Sequence, residues 1–386
     1  MSRRVMFYVQ HLLGIGHLKR ASLIARVMAA AGLDVSVVLG GRVVPGVDFA
    51  GCARILLPSV HAADDTFETL LDERGETIDD EWRDNRAARL VLEFAALRPH
   101  VLMLELFPFG RRMFSFELVP LLTAARAAPC PPRIVSSVRD ILVRKPDVER
   151  NRKAVAFAHA WFDHILVHGD PKLVPIEASF PEIAEIADKL AYTGYVVERE
   201  PLAVAGSEDP IGADEVIVSA GGGAVGLPLL RAALEAKPLS RLADRTWRLV
   251  TGPNLADDAF AELAWSPPPG VIVERWRADL SALFRACAVS VSQAGYNTVM
   301  DLLRARARAV LVPFAAGGET EQTLRATALV ERGLAVAVDA ATLSPKILAD
   351  AIDEALTLSP PCVEIDCTGA ETTARLVGEM CEAGEA

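Results

Sequence analysis

Short apolar runs alternate along the chain with longer stretches in which apolar residues recur every three to four positions. The short runs are typical of buried strands in a parallel sheet, and the longer stretches are typical of the helices that connect such strands. In the first half of the chain this pattern predicts a helix over residues 18–31 and strands over residues 5–9, 35–39, 101–104, 134–138 and 165–167. The alternation therefore predicts an α/β fold with a parallel sheet.

The same alternation starts again beyond residues 198–214, a polar stretch that contains proline. The strands predicted after it cover residues 216–218, 248–250, 271–273, 289–291 and 310–312. Two such series predict two doubly wound, Rossmann-like domains, which we place at residues 1–200 and 201–367. A last helix is predicted from residue 368, and we expect residues 368–386 to pack back on the N-terminal domain.

Composition narrows the classes of function. Hydrophobic residues make up 51% of the chain and charged residues 24%, which is typical of a globular protein. The formal charge of −11 disfavours binding to nucleic acid, and the six cysteines form no C-x-x-C pair, which favours a reducing cytoplasm. Residues 5–15 resemble the apolar part of a signal peptide, but Gln10 and His11 interrupt them and favour a buried strand. No apolar run is long enough to predict a membrane span.

The loop after the first strand is the first candidate site, because ligands of an open parallel sheet bind beyond the carboxyl ends of the strands. Gly14 and Gly16 let the backbone approach a ligand closely, and His17 stands at a helix start that favours a neutral imidazole. His17 is therefore a candidate general base, although a plain turn and helix cap would use the same residues. The loop lacks the third glycine of a dinucleotide site, which argues against nicotinamide cofactors.

Two loops of the second domain are candidate sites for a phosphorylated sugar. The loop after strand 216–218 is either a cradle for a diphosphate or a flexible turn, and its glycines are Gly221, Gly222 and Gly223. Another polar cluster follows the strand 310–312 and consists of Glu319, Thr320, Glu321 and Gln322. Glu321 and Gln322 are candidates to hold sugar hydroxyls.

A third loop follows the strand 289–291 and combines a glycine with polar side chains. Its residues are Ser292, Gly295, Asn297 and Thr298. We expect Thr298 to cap a helix over residues 299–306, which places Asp301 about one turn into that helix. The carboxylate of Asp301 would accept two hydrogen bonds from a ribose diol, or it would simply face solvent near the helix N-terminus.

The other candidate residues of the first domain have weaker signals. Glu105 follows the strand 101–104, where it would assist His17, bind a substrate hydroxyl or form a salt bridge. Arg111 lies among phenylalanines that follow this strand, and residues 139–153, which begin with Arg139, contain six basic and three acidic residues. These segments are candidates to bind an anionic substrate or a lipid surface, and some of the phenylalanines are expected in the core.

Residues 271–339 resemble the donor-binding domain of glycosyltransferase family 28, which includes the lipid II-forming N-acetylglucosaminyltransferase. The matching words are SQAGYNTVMDLL, VLVPF and ETEQTLRATALVERG. The resemblance implies a GT-B fold, in which two doubly wound domains face each other across a cleft. It also implies that Gly295, Thr298 and Asp301 bind the ribose of UDP, with aspartate in place of the usual glutamate.

Further positions follow from the same resemblance. It assigns the glycine-rich loop of the donor domain to residues 221–223 and the contacts with the sugar to Glu321 and Gln322. At the N-terminus, GIGHLKRA resembles the G-x-G-H loop of the family, in which the histidine is a proposed base, so His17 inherits that role. The words QHLLGIGHLKRA, ELFPFGRR and SVRDIL also resemble a poorly characterised bacterial group of predicted glycosyltransferases.

A metal is not expected in the site. No Asp-x-Asp motif follows an apolar strand, so helix N-termini and backbone N–H groups would stabilise the leaving diphosphate. The remaining candidates for zinc ligands lie across a predicted helix end and strand, and these are His159, His164 and His168. We expect no cofactor, since the nucleotide sugar is a substrate.

These observations predict an inverting, metal-independent glycosyltransferase that uses a nucleotide sugar, UDP-linked by resemblance, and His17 as the base. The expected partners are this donor and a small-molecule, glycan or lipid acceptor, with no nucleic acid. The expected location is the cytoplasm, with peripheral contact to the inner face of the cell membrane as an option, and the oligomeric state is left open. UDP-sugar hydrolases carry a similar G-x-G-H-x-x-R loop, which His17 and Arg20 also fit. The sequence is also compatible with a nonhydrolysing sugar-nucleotide epimerase or a non-catalytic nucleotide-sugar sensor.

Overall fold

The computed structural model describes residues 3–12, 16–42, 44, 46–63, 69–143, 147–198, 211–222, 225–277, 279–315 and 320–383. The chain divides into two compact units. The N-terminal unit consists of Met1–Arg199 together with Ile365–Ala386, and the C-terminal unit consists of Glu200–Glu364. Each unit contains one main parallel sheet with helices, which confirms the predicted α/β class and the two doubly wound sheets.

The N-terminal unit is built on a seven-stranded sheet. The strands of the unit, seven of which form this sheet, are β1 (Arg4–Val9), β2 (Asp34–Leu39), β3 (Ala53–Leu56), β4 (His61–Ala62), β5 (Leu70–Leu71), β6 (Val101–Glu105), β7 (Arg133–Arg139), β8 (His164–His168) and β9 (Leu190–Tyr192). Its first four helices are α1 (Gly16–Ala30), α2 (Asp80–Leu97), α3 (Ser115–Ala127) and α4 (Val148–Trp161). The strand order is β3-β2-β1-β6-β7-β8-β9, and β4 and β5 form a separate antiparallel pair.

The C-terminal unit repeats this plan with six strands. They are β10 (Val216–Ser219), β11 (Trp247–Val250), β12 (Val271–Glu274), β13 (Val289–Ser292), β14 (Ala309–Leu311) and β15 (Val336–Ala337). The helices are α5 (Leu227–Ala236), α6 (Asp257–Trp265), α7 (Leu280–Ala286), α8 (Tyr296–Ala305), α9 (Glu321–Val330) and α10 (Pro345–Ala355). The strands lie in the order β12-β11-β10-β13-β14-β15.

The last helix, α11 (Gly369–Ala383), packs against α1 within the N-terminal unit.

The sheet of the N-terminal unit is covered by helices on both faces, and alternate residues of β1 point to opposite faces. Val5, Phe7 and Val9 share one apolar cluster with residues of α1 and α11, whereas Met6 and Tyr8 share another with residues of α2, α3 and α4. Within the part of the chain that the structure describes, no helix is long and apolar enough to cross a membrane.

The sequence pattern missed three of the four edge strands of the two main sheets. β3, β9 and β15 lie at sheet edges, whereas the fourth edge strand, β12, matches the predicted strand 271–273. In β3, for example, the side chain of Leu56 is 52% exposed. An edge strand is partly open to solvent, so hydrophobic periodicity alone cannot distinguish it from a loop.

Both strand orders create a switch point, where successive crossovers run in opposite directions from the first strand. In the N-terminal unit this point lies between β1 and β6, and in the C-terminal unit it lies between β10 and β13. Loops diverge at such a point, and the crevice beyond the carboxyl ends of the two strands is the usual ligand site of a doubly wound sheet. The fold therefore brings predicted loops of each unit to the position where doubly wound sheets usually bind their ligands.

A buried ion pair holds the end of β1 in place. Arg86 Nε of α2 lies 3.2 Å from Glu117 Oε2 of α3, and neither side chain is exposed. The Tyr8 hydroxyl donates to Glu117, and Arg86 Nη2 donates to Gln10 Oε1 over 2.8 Å. Gly40 is required beside them, since a Cβ there would collide with the side chains of Arg86 and Gln10. The residues that precede the glycine loop are therefore fixed by buried charge.

We expect the substitution Arg86→Met to destabilise the N-terminal unit by about 3–5 kcal/mol, because it leaves the Glu117 carboxylate buried without its counter-ion. The double variant Arg86→Met, Glu117→Leu should recover part of this loss, since it removes both buried charges. Urea unfolding measures the difference. The control is Arg375→Ala, which breaks the exposed pair with Glu379 on α11 and should cost less than about 1 kcal/mol. Equal losses for Arg86→Met and the control would contradict the role of the buried pair.

Candidate functional site

The carboxyl edge of the N-terminal sheet gathers polar side chains from neighbouring strands. Glu105 at the end of β6 pairs with Ser137 of β7, and Arg139 of β7 pairs with His168 of β8. Paired residues of parallel strands point to the same face, and residues two apart on a strand share that face. Met103, two residues before Glu105, belongs to the apolar cluster of α1. These four polar residues therefore lie on the face that α1 covers.

His17 and Glu105 are in direct contact. His17 is the second residue of α1, and its Nδ1 lies 3.0 Å from Glu105 Oε1. Arg20, one turn further along α1, donates to the same carboxylate oxygen, and its Nη2 also lies 3.1 Å from His17 Nδ1. The side chain of His17 is 14% exposed, whereas that of Glu105 is 1% exposed. The structure thus joins three residues that the sequence analysis selected, and it supplies Glu105 with both a histidine and an arginine partner.

Burial and neighbouring charges set the protonation states of this pair. Burial, together with the charges of Arg139 and Arg20, lowers the pKa of His17 to about 4 against the opposing effect of Glu105. Burial alone would raise the pKa of Glu105, but Arg20 and the hydrogen bonds from His17 and Ser137 hold this pKa at about 2. Near neutral pH the pair therefore consists of a neutral imidazole and a carboxylate.

Two further arginines of the sequence prediction surround this pair. Arg111 Nε donates to the carbonyl oxygen of Gln10 over 2.9 Å, so Arg111 braces the segment between β1 and the glycine loop. Burial lowers the pKa of Arg111, and Glu105 opposes this shift. Arg139 ends β7 on the same face as Glu105. Arg20 and Arg111 both interact electrostatically with Glu105, and Arg139 acts on His17 and Arg111, so three arginines lie close to one carboxylate at this edge.

The glycines of the N-terminal loop are described only in part. Gly16 is the first residue of α1, and a Cβ on it would meet no atom within 4 Å. Open space beside the first turn of a helix leaves its N–H groups accessible to an anion. Gly14 lies outside the described residues, as do Gly223 and Glu319. The roles assigned to Gly14, Gly223 and Glu319 stay predictions.

The loop after β10 borders the switch point of the C-terminal unit. Gly221 has a φ of 59°, a conformation that side-chain-bearing residues rarely adopt. The carbonyl of Gly222 accepts the backbone N–H of Asn254 over 3.0 Å, which ties this loop to the segment after β11. α5 begins at Leu227 beyond it, and no side chain among the described residues caps its first turn. Free N–H groups at such a helix start favour a phosphate.

The loop after β13 lies on the other side of the same switch point. α8 begins at Tyr296 with Gly295 as its N-cap residue, so Thr298 lies inside the first turn. The prediction that Thr298 caps this helix is therefore wrong, because the extended backbone of Gly295 starts the helix earlier. Asn297 is exposed and Asp301 is partly buried, while Ser292 ends β13 with its side chain buried.

A buried arginine that the sequence analysis missed supports this loop. Arg325 of α9 donates to the carbonyl of Ala294 over 2.9 Å and to Glu321 Oε1 over 2.9 Å. Gln322 Oε1 accepts the backbone N–H groups of Ala294 (3.0 Å) and Phe314 (3.1 Å). The oxygen of Gln322 therefore holds the backbone in place, and the predicted contact of Gln322 with a sugar rests on its amide nitrogen.

Trp276 is a second residue that the sequence analysis missed. It follows β12 at the carboxyl edge of the C-terminal sheet, and 64% of its surface is exposed. An exposed indole at the ligand-binding edge of such a sheet offers a flat apolar face on which a planar ring can stack. The sequence could have indicated Trp276, since this residue lies shortly after the predicted strand 271–273.

The histidines outside the candidate site do not gather around a common point. Among the residues that the structure describes, no three His, Cys, Asp or Glu side chains are grouped so as to hold a metal ion. His159 lies in α4, His164 begins β8, and His168 ends that strand.

His168 is hydrogen-bonded to Ser137, which also contacts Glu105. Ser137 and His168 thus extend the candidate site beyond the residues that the sequence selected.

Comparisons with known proteins concern the C-terminal unit and the overall fold. Residues 216–362 match the glycosyltransferase family 28 C-terminal domain. An uncharacterized glycosyltransferase of Methanopyrus kandleri is 28% identical over 205 residues, which cover 51% of this chain and 56% of that protein. The UDP-N-acetylglucosamine–N-acetylmuramyl-(pentapeptide) pyrophosphoryl-undecaprenol N-acetylglucosamine transferase of Anaeromyxobacter sp. is 35% identical over 78 residues, 20% of each chain. The chain therefore spans about half or less of these curated relatives.

Solved structures resemble the whole chain. The glycosyltransferase of kitacinnamycin has a TM-score of 0.62 at 17% identity, and the match covers 100% of this chain and 96% of that one. MurG of Acinetobacter baumannii has a TM-score of 0.60 at 13% identity, over 97% of this chain and 99% of that one. At these identities the resemblance concerns the fold. Residues 216–362 thus resemble the C-terminal domain of glycosyltransferase family 28, and the chain has the GT-B fold of these glycosyltransferases.

Proposed function

We propose that the protein is an inverting, metal-independent glycosyltransferase that moves a sugar from a UDP-linked donor to an acceptor hydroxyl. The observation that carries this proposal is the contact between His17 Nδ1 and Glu105 Oε1 at the start of α1. A neutral histidine oriented by a buried carboxylate is an arrangement suited to general base catalysis. The family 28 domain in the C-terminal unit supports a nucleotide-sugar donor.

The proton of His17 is placed by its neighbour. We assign the proton of the imidazole to Nδ1, because a lone pair there would face the negatively charged Oε1 of Glu105. Arg20 Nη2, which lies 3.1 Å from Nδ1, then donates to the carboxylate and not to the imidazole. Nε2 then carries the lone pair. In the proposed reaction Nε2 takes the proton of the acceptor hydroxyl while its oxygen attacks the anomeric carbon. The bond from that carbon to the diphosphate oxygen breaks, and the diphosphate leaves with the electron pair.

The C-terminal unit is proposed to hold the donor. The uncapped starts of α5 and α8 border the switch point and would stabilise the negative charge on the diphosphate, with no cofactor required. Asp301 would accept the ribose hydroxyls, and the exposed ring of Trp276 would stack on the base. Glu321 and Gln322 are the proposed contacts for the sugar.

The arginines at the N-terminal sheet edge suit an acceptor that carries negative charge, such as a phosphorylated lipid or glycan. Arg111 and Arg139 are the proposed contacts. Such an acceptor would be used in the cytoplasm, with peripheral contact to the membrane if it is a lipid. Nucleic acid is not a proposed partner.

Water is the competing acceptor. The contact of Arg20 and His17 with Glu105 would orient a base for water as well as for a sugar or lipid hydroxyl. Incubation with UDP-sugars alone distinguishes the two reactions. Rapid release of UDP without an acceptor would identify a hydrolase, whereas release that requires an added acceptor would identify a transferase.

We expect His17→Gln to lower kcat by about 10²- to 10⁴-fold, because the variant lacks the base that removes the acceptor proton. The KM for the donor should change little, since the proposed donor contacts lie in the C-terminal unit. Steady-state kinetics with a saturating acceptor measures both. The control is His164→Gln, at the opposite end of β8 from His168, which should keep kcat within about twofold of the native protein.

The pH dependence of kcat/KM reports the same group in the free enzyme. The folded protein lowers the pKa of His17 to about 4, so the imidazole stays neutral and active throughout the neutral range. Activity should remain level as the pH falls through 6.5, and it should decline only as the pH approaches about 4 and the imidazole gains a proton. A decline centred near 6.5 would contradict the buried, neutral state of His17.

Nucleotide binding should raise the melting temperature of the protein, because a ligand that binds only the folded state stabilises it. Among UDP, dTDP, GDP and ADP we expect the largest shift with UDP. Trp276→Ala and Asp301→Ala should each reduce this shift. Trp265→Ala is the matched control, since this tryptophan is 90% exposed at the end of α6 in the same unit, and it should leave the shift unchanged. The absence of a shift with every nucleotide would rule out the proposed donor site.

A further inference from the structure

A chain of hydrogen bonds leads away from Glu105 across three neighbouring strand ends. Ser137 Oγ lies 2.6 Å from Glu105 Oε2 and 2.9 Å from His168 Nε2. His168 Nδ1 lies 2.9 Å from the hydroxyl oxygen of Thr193, just beyond β9. Ser137, His168 and Thr193 are fully buried, and Glu105 is 2% exposed. Four polar side chains therefore form one line that ends at the carboxylate facing His17.

The hydrogen-bond acceptors determine which group donates to which along this line. Ser137 has one proton, and an ionised carboxylate accepts more strongly than a neutral imidazole nitrogen, so Ser137 donates to Glu105. His168 Nε2 must then donate to Ser137 Oγ, because two lone pairs would otherwise face each other. The Thr193 hydroxyl donates to His168 Nδ1, which is nearer to it than the two backbone carbonyls at 3.1 and 3.3 Å. Every donor in the line therefore points toward Glu105.

We propose that Ser137 and His168 are positioning residues, which keep Glu105 ionised and oriented so that His17 holds its proton on Nδ1 and presents Nε2 as the base. This inference rests on the proposed role of His17. Ser137 occupies Oε2 of the carboxylate, which leaves Oε1 for His17 and Arg20. Without this bond the carboxylate would be free to rotate, and Oε1 would no longer be fixed opposite Nδ1.

The charges around the line are compatible with a neutral His168. Burial and the charge of Arg20 lower its pKa to about 3, while Glu105 opposes the change. The charged and titratable groups that act on His17 are Arg20 from α1, Glu105 from β6 and Arg139 from β7. A further positive charge on His168 would lie among these arginines, so His168 serves as a neutral link with Nε2 protonated.

Three variants test this arrangement in the full-length protein. Ser137→Ala removes the link to Glu105, and His168→Leu removes the donor behind it. His168→Gln restores that donor, because the glutamine amide nitrogen can take the place of Nε2 and its oxygen can accept from Thr193. His164→Leu, at the other end of β8, is the matched control for the loss of a histidine from this strand. Circular dichroism and melting temperature identify the variants that are folded.

The first readout needs no substrate. Nitrogen-15 NMR of labelled histidine distinguishes a protonated Nδ1 from a protonated Nε2, and the chain has only seven histidines. His17→Gln identifies the signals of His17. The native protein, His168→Gln and His164→Leu should show His17 protonated on Nδ1, whereas Ser137→Ala and His168→Leu should show a mixture of the two forms. An unchanged His17 signal in both folded variants would overturn the proposal, and so would a mixture in the control.

The second readout is catalytic. Ser137→Ala and His168→Leu should lower kcat by about 10- to 100-fold, as is usual for partners that orient a reacting side chain, with the KM for the donor unchanged. His168→Gln should recover most of this loss, and failure to do so would contradict the order of protons. If the native protein has no activity with any nucleotide sugar, the proposed function fails, but the NMR result still decides whether Ser137 and His168 fix the proton of His17.

Discussion

The arrangement of the N-terminal unit depends on how one buried carboxylate is kept charged. Glu105 is almost inaccessible to water, and burial by itself would favour its protonated form. Arg20, His17 and Ser137 together reverse this preference, and they bind both carboxylate oxygens. In the proposed mechanism the ionised carboxylate holds the proton of His17 on Nδ1, and Nε2 is the base. Loss of this charge would remove the physical reason for that tautomer and orientation.

The strand register of the sheet and its connection to α1 bring these groups together. Parallel register places Glu105 beside Ser137 and Arg139 beside His168, and the crossover from β1 starts α1 over the same edge. The buried pair of Arg86 and Glu117 fixes the segment before this crossover. In the C-terminal unit the same topology brings the loops after β10 and β13 to one switch point, where two helices begin. In each unit the strand order therefore brings several loops together at one edge of the sheet.

Much of this was accessible from the sequence, because central strands and the loops after them have strong local signals. Two series of alternating apolar runs and helical stretches, which begin at Val5 and at Val216, predicted the two parallel sheets, and the rule that ligands bind at carboxyl ends selected His17, Glu105 and Asp301. What the sequence could not supply was pairing between distant residues. Nothing local to Ser137 or His168 indicates that their strands adjoin that of Glu105, since strand order is a property of the whole sheet.

Other misses have equally specific causes. The helix after β13 starts two residues before Thr298, because an extended Gly295 begins it without a side-chain cap, and cap preferences alone favour threonine. Arg325 resembles an ordinary charged residue of an amphipathic helix, yet it is buried and bonded to Ala294 in the loop that precedes α8. Gln322 was selected for its polarity, but the fold uses its oxygen to hold two backbone N–H groups. In each case tertiary contacts decide the role.

The substitution Glu105→Gln tests the central claim most directly, because it keeps the size of the side chain and removes only its charge. The measurement is kcat of the full-length variant with the nucleotide sugar that gives the largest thermal shift. The account predicts a loss of about 10²-fold or more, as expected when a base loses the carboxylate that fixes its tautomer, with the thermal shift by the nucleotide unchanged. A kcat equal to that of the native protein would contradict the account.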